Sequence, residues 1–318
     1  MTALDPAFYF HDILGFGAMI AHLTALFAAL AYLVAAYGYV RVSPFSSHRR
    51  RVDETTVVAT ELSARIVRLR LILFFGLVCH LLFFFVTEVV GVPALQLSDQ
   101  VASDSSGLVT RLPAVVSVIS SLLIGLFLLL ERPLDLTALG SLVAPLGFLL
   151  LLASAILFHL HDPVEATTDR GFLVSFHLLS IIVSYTLLTF SSCVSGMFLM
   201  QEARLKSKRS ALPLQGIPSI AFLDRLSRLL VAAGFALLSI GIVFGVFSAS
   251  LLDSKPERVL GRLLWVLPVI AVYGSVVFQV YIRGVRGKRI ALLTAAGLLS
   301  VAISFFGSRL GGGGFHVH

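Results

Sequence analysis

The chain has 318 residues, 58% of them hydrophobic and only 13% charged, with a mean hydropathy of +0.97. Water-soluble domains carry about 25% charged residues, so this composition excludes a soluble globule and leaves no room for a large soluble domain. The formal net charge of +7 invites a nucleic-acid reading, but the distribution of the basic residues favours membrane topology and lipid headgroups instead.

Eight apolar runs organise the sequence, at 14–40, 69–90, 112–130, 138–159, 172–199, 229–251, 260–282 and 290–308. A helix needs about 20 predominantly apolar residues to cross a bilayer. The expected fold is therefore all-α, a polytopic integral membrane protein of about eight transmembrane helices forming one domain over 1–318. Basic residues cluster in every second gap: seven in 41–70, one in 131–137, six in 200–228 and four in 283–289. By the positive-inside rule these gaps face the cytoplasm, which places both termini outside.

The N-terminal stretch Met1–Ile13 carries Asp5 and Asp12 but no Lys or Arg. The run after it is too long for a signal-peptide core, so a retained first helix entering from outside is expected. Arg41–Arg70 is the largest basic segment, and its second half, Thr55–Arg70, reads as a surface helix leading into the second span. Gly91–Arg111 is polar and turn-rich, Leu160–Gly171 is short and acidic, and Leu252–Val259 is a tight external turn. Gln201–Arg225 is a basic linker broken by Pro213 and Pro218. No fixed-period repeat or inverted duplication is evident.

Chemistry-bearing residues are few. Cys79 and Cys193 lie in different spans without a CxxC, CxxCH or zinc spacing, so covalent haem attachment and dithiol redox chemistry are not indicated. Absence of HExxH, GxSxG, a P-loop or a GxGxxG in strand–helix context removes zinc-hydrolase, serine-hydrolase and nucleotide readings. The histidines are the exception. His22 lies in the first span and His80 near the middle of the second, eight residues before Glu88 on the same helical face. His177 sits about two turns into the fifth span, and His159 ends the fourth. On the external side are His11, His161, His316 and His318, the last two following a four-glycine run; only His48 falls in a basic gap. Imidazole is the commonest metal ligand and an axial ligand of haem iron. The competing reading of an intramembrane histidine is a hydrogen-bond partner between helices.

Several segments resemble the CcsA/HemX-like family of cytochrome c assembly membrane proteins. Glu131-Arg132-Pro133-Leu134-Asp135 through Ala144-Pro145-Leu146 is similar to that family's third-to-fourth helix turn. Phe176-His177 to Ser184-Tyr185 resembles its histidine-bearing helix, and Gly284-Val285-Arg286-Gly287-Lys288-Arg289 its turn before the last helix. Phe305-Phe306-Gly307-Ser308 and Gly313-Gly314-Phe315-His316 match its final helix and tail, and His80 falls where many members carry a second-span histidine. The resemblance implies a haem-handling protein of the cell membrane of a bacterium, binding haem b non-covalently. It implies His177 and His316 as flanking external ligands of haem iron, and His80, with His22 as partner, as intramembrane haem histidines. Apocytochrome c and other assembly proteins are the implied partners beside the lipid bilayer.

Two departures point to the HemX-like branch. The synthetase branch carries a tryptophan-rich external loop, whereas this chain has one tryptophan, Trp265. Its following-span histidine is replaced here by Phe278 or Gln279. The alternative function is therefore a membrane regulator or scaffold without haem, acting on an assembly complex or on cytoplasmic haem synthesis through glutamyl-tRNA reductase.

Overall fold

The computed structural model describes residues 6–42, 56–86, 112–159, 172–206, 218–251 and 256–310. These form eight helices in chain order: α1 (Pro6–Val42), α2 (Thr56–Phe84), α3 (Leu112–Glu131), α4 (Gly140–His159), α5 (Phe172–Lys206), α6 (Ile220–Leu251), α7 (Pro256–Tyr281) and α8 (Lys288–Leu310). No strand occurs among the described residues. Seven helices, α1 to α7, hold windows long and apolar enough to cross a membrane, and α8 adds a further 23 residues over the eighth run. The protein is an all-helical integral membrane protein.

One boundary differs from the hydropathy reading. Thr55–Arg70, read as a surface helix leading into the second span, is continuous with it, since α2 runs unbroken from Thr56 to Phe84. Nothing between them ends a helix, because neither Pro nor a run of Gly falls before Gly76. The linker expected over Gln201–Arg225 is shorter than that span, since α5 continues to Lys206 and α6 begins at Ile220.

The chain divides into two compact units. The first comprises Met1–Leu129 and Val143–Asp169 and holds α1, α2 and most of α3 and α4. In lipid, apolar residues can face outward, so size rather than polarity decides which face packs. Helix α1 buries Ala21, Ala28, Ala31, Tyr32, Ala35 and Tyr39 while exposing Leu23, Leu26, Phe27, Leu30 and Leu33. Gly38 lies under Leu69, and Gly76 lies against Ala31 and Tyr32, so α1 and α2 run antiparallel at close range. Helices α3 and α4 are joined by Ser120 Oγ donating to the Gly147 carbonyl (2.9 Å) and Ser154 Oγ to the Pro113 carbonyl (2.8 Å).

The second unit comprises Leu130–Leu142 and Arg170–His318. It begins with the Glu131–Asp135 turn, where Asp135 adopts φ 51° and Leu136 N–H donates to the Glu131 carbonyl at 3.0 Å. Aspartate tolerates this left-handed conformation better than most residues. Helix α5 packs along α6 and α8, and α7 packs against both α8 and α6. After α7 ends at Tyr281, Gly284 adopts φ 67° and Val285 N–H donates to the Gln279 carbonyl at 2.9 Å, a glycine C-cap.

Candidate functional site

His80 lies where the sequence suggested, in the interior of unit 1 and fully buried. Its Nδ1 is 3.1 Å from the Tyr32 hydroxyl of α1, and its Nε2 is 2.7 Å from the Ser117 hydroxyl of α3. Both ring nitrogens are therefore engaged, and a ligand role would require one of these bonds to be released. Phe74, Phe75 and Phe85, which flank His80 in the sequence, are exposed. His22 also lies on an exposed face of α1. His80, by contrast, is fully buried.

His177 is held differently. It projects from α5 onto α6, where its Nδ1 lies 2.6 Å from the Gly241 carbonyl oxygen. Gly245, one turn farther along α6, lies directly against the imidazole. Phe176 and Phe244 meet beside it with ring centroids 4.7 Å apart, and Phe172 stacks on Phe176 at 5.9 Å. Nε2 has no hydrogen-bond partner among the described residues. An imidazole with one nitrogen tied to a carbonyl and the other free has the chemistry of a metal ligand oriented by its second nitrogen. Such a nitrogen could ligate a haem iron, and the neighbouring aromatic rings would suit a flat apolar ligand.

Below His177, α5 presents a ladder of buried hydroxyls. Ser184 donates to the Gly234 carbonyl at 2.7 Å, and Ser191 donates to the Ser227 carbonyl at 2.9 Å. The Ser195 and Ser227 hydroxyls are 2.7 Å apart. On the other side of α5, Ser192 Oγ reaches the Thr294 carbonyl (2.8 Å) and the Tyr273 hydroxyl (2.9 Å), while the Tyr185 and Ser304 hydroxyls are 3.1 Å apart. At the basic end, Asp224 pairs with Arg228 and accepts the Gly287 N–H at 3.4 Å, holding the α7–α8 turn to α6.

Among the described residues no group of three or more His, Cys, Asp or Glu could hold a metal ion. His316, His318, His161 and Glu88 fall outside the described residues, as do Arg111 and Arg170. Of Phe278 and Gln279, the two residues that stand where the synthetase branch has a further histidine, Phe278 is exposed with its ring centroid 5.1 Å from the Arg283 guanidinium. Sequence reasoning missed Tyr32, Ser117, Gly241 and Gly245. Of these only the Gly241/Gly245 pair carried a signal, a small-xxx-small spacing inside an apolar run.

The profile of the family described as Cytochrome C assembly protein matches residues 102–316, about two-thirds of the chain. The chain belongs to the cytochrome c assembly family. Comparison with curated proteins and with solved structures gives no significant match. Membership gives this membrane protein a role in cytochrome c biogenesis. The family match begins after α2, so it includes His177, His316 and Ser117 and leaves out His22, Tyr32 and His80.

Proposed function

We propose that this cytochrome c assembly protein handles haem, holding haem b without a covalent bond at the ends of α5 and α6 where His177 lies. The observation that carries the reading is the unpartnered Nε2 of an imidazole whose Nδ1 is fixed to the Gly241 carbonyl. Bound haem would supply an iron that accepts imidazole nitrogen. His177 would provide one ligand and Phe176 and Phe244 a wall, with His316 from the tail as the second ligand. His80, with both nitrogens hydrogen-bonded, fits the competing role of joining α1, α2 and α3. The single Trp265 supports placement in the HemX-like branch. The charge pattern supports an orientation in a bacterial inner membrane with His177 toward the outside, where apocytochrome c or other assembly proteins would be met.

A Soret band on protein purified from haem-supplied cells tests the reading, with a marked loss expected for His177→Ala. If no band appears, or if it survives removal of His80, His177 and His316 together, the haem assignment fails. The second reading, a scaffold or regulator of a cytoplasmic haem-synthesis enzyme such as glutamyl-tRNA reductase, is favoured by the exposed Arg225, Arg283, Arg286, Lys288 and Arg289 at the basic end of unit 2. It predicts that neutralising these residues abolishes capture of that enzyme and leaves any haem spectrum intact.

A further inference from the structure

Two glycines one turn apart on α6 meet a single imidazole on α5. The Gly241 carbonyl oxygen can only accept, so at 2.6 Å it requires the proton of the neutral ring to sit on Nδ1. At Gly245 an added Cβ would stand 2.5 Å from His177 Cε1 and 2.6 Å from Nδ1. Real carbon atoms do not approach so closely, so any side chain at 245 must either part the helices or turn the ring. Parting is opposed by the rungs below, Ser184 to the Gly234 carbonyl at 2.7 Å and Ser191 to the Ser227 carbonyl at 2.9 Å. The ring is the part that moves.

We propose that Gly241 and Gly245 are positioning residues that select the Nδ1–H tautomer of His177 and present Nε2 as its sole ligating nitrogen, toward a Lewis-acidic metal centre. The identity of that centre as haem iron rests on the proposed function; the selection of tautomer does not. Donation of the Nε2 lone pair to a metal makes Nδ1–H a stronger donor, so ligation and the α5–α6 contact reinforce each other. A ring released from Gly241 loses this orientation and can offer either nitrogen.

The experiment uses full-length protein, labelled with 15N-histidine, in detergent at alkaline pH and without haem. Nitrogen shifts distinguish a protonated, pyrrole-type Nδ1 from a bare, pyridine-type one, and His177→Gln assigns the signal by its loss. The expected result is a single Nδ1–H tautomer in the wild type and a mixture in Gly245→Ala. Haem titration of the same samples is expected to show about 10- to 100-fold weaker binding for Gly245→Ala. Gly274→Ala is the packing control, because its Cβ on α7 meets Phe235 of α6 at 3.3 Å without touching His177 or the α5–α6 rungs; it should change neither readout. A wild-type signal from an Nε2–H ring, or an unchanged tautomer in folded Gly245→Ala, overturns the proposal. If Gly245→Ala does not fold, the wild-type spectrum alone decides. The expected tautomer in a protein that binds no haem sustains the positioning role and removes the haem reading.

Discussion

Tyr32 of α1 and His80 of α2 meet edge to face, ring centroids 5.9 Å apart and planes inclined at 65°, with the phenol oxygen 3.1 Å from Nδ1. Ser117 closes the other side of the ring from α3. Either tautomer satisfies the set: one hydroxyl donates to the bare nitrogen while the N–H donates to the other. Tyr32→Phe and Ser117→Ala should each lower stability by about 1 kcal/mol, the value of one buried hydrogen bond. His80→Ala removes both bonds and leaves a cavity, and should cost about 2–4 kcal/mol. Unfolding in detergent measures all three. A His80→Ala variant as stable as the wild type would remove the clamp from unit 1.

Gly76 is what lets Tyr32 reach His80. A Cβ there would lie 2.8 Å from Ala31 Cβ and 2.9 Å from the Tyr32 ring. Gly76→Val should therefore cost about 1–3 kcal/mol by overpacking. Gly125→Ala, which meets only Leu77 at 3.8 Å, should be tolerated. Equal melting temperatures for the two variants would mean that α1 and α2 are not in close contact at this point.

In unit 2, Tyr273 lays its phenol head over Gly297, where a Cβ would come 2.4 Å from Cζ, and its hydroxyl is 2.9 Å from Ser192 Oγ. Ser192→Ala and Gly297→Ala both release this head from the α5–α8 packing. Each should destabilise by about 1–2 kcal/mol. Because they act on one side chain, the double variant should lose less than their sum by at least about 0.5 kcal/mol. Simple additivity in a double-mutant cycle would show that Tyr273 does not link them.

Two glycines of α7 and its cap should respond with opposite signs. Gly284 has φ 67°, so Gly284→Ala forces a side chain into the left-handed region and should cost about 1–2 kcal/mol. Gly261 is helical with nothing within 4 Å of an added Cβ, so Gly261→Ala should stabilise by about 0.5–1 kcal/mol. Thermal unfolding of the two single variants gives the comparison, and a shared sign would contradict the backbone assignments.

The positions of the helices were legible because a bilayer demands about 20 apolar residues per span, and eight such runs are present. His80 could likewise be placed at mid-span from its position alone. Its partners could not, since Tyr32 and Ser117 stand 48 and 37 residues away and an apolar run does not say which helix it meets. The same holds for His177 and Gly241, 64 residues apart. Hydropathy was weakest at distinguishing one packed face from another. In α1 both faces are apolar, and the buried one is marked by alanines and tyrosines rather than by polarity. The helical lead-in to the second span was legible, because Arg65, Arg68 and Arg70 add charge without a Pro or Gly that would end α2.

At 35 residues, α5 is about 52 Å long, far more than the roughly 30 Å hydrocarbon layer it crosses. Such a surplus would ordinarily let a helix slide to suit the membrane. Here the ring lodged against Gly245 and the serine rungs beneath it act as a ratchet, fixing the height of α5 on α6. A thinner bilayer must then tilt the pair together rather than shear it. The depth of His177 below the headgroups thus becomes a function of lipid thickness, while its bond to Gly241 stays unchanged.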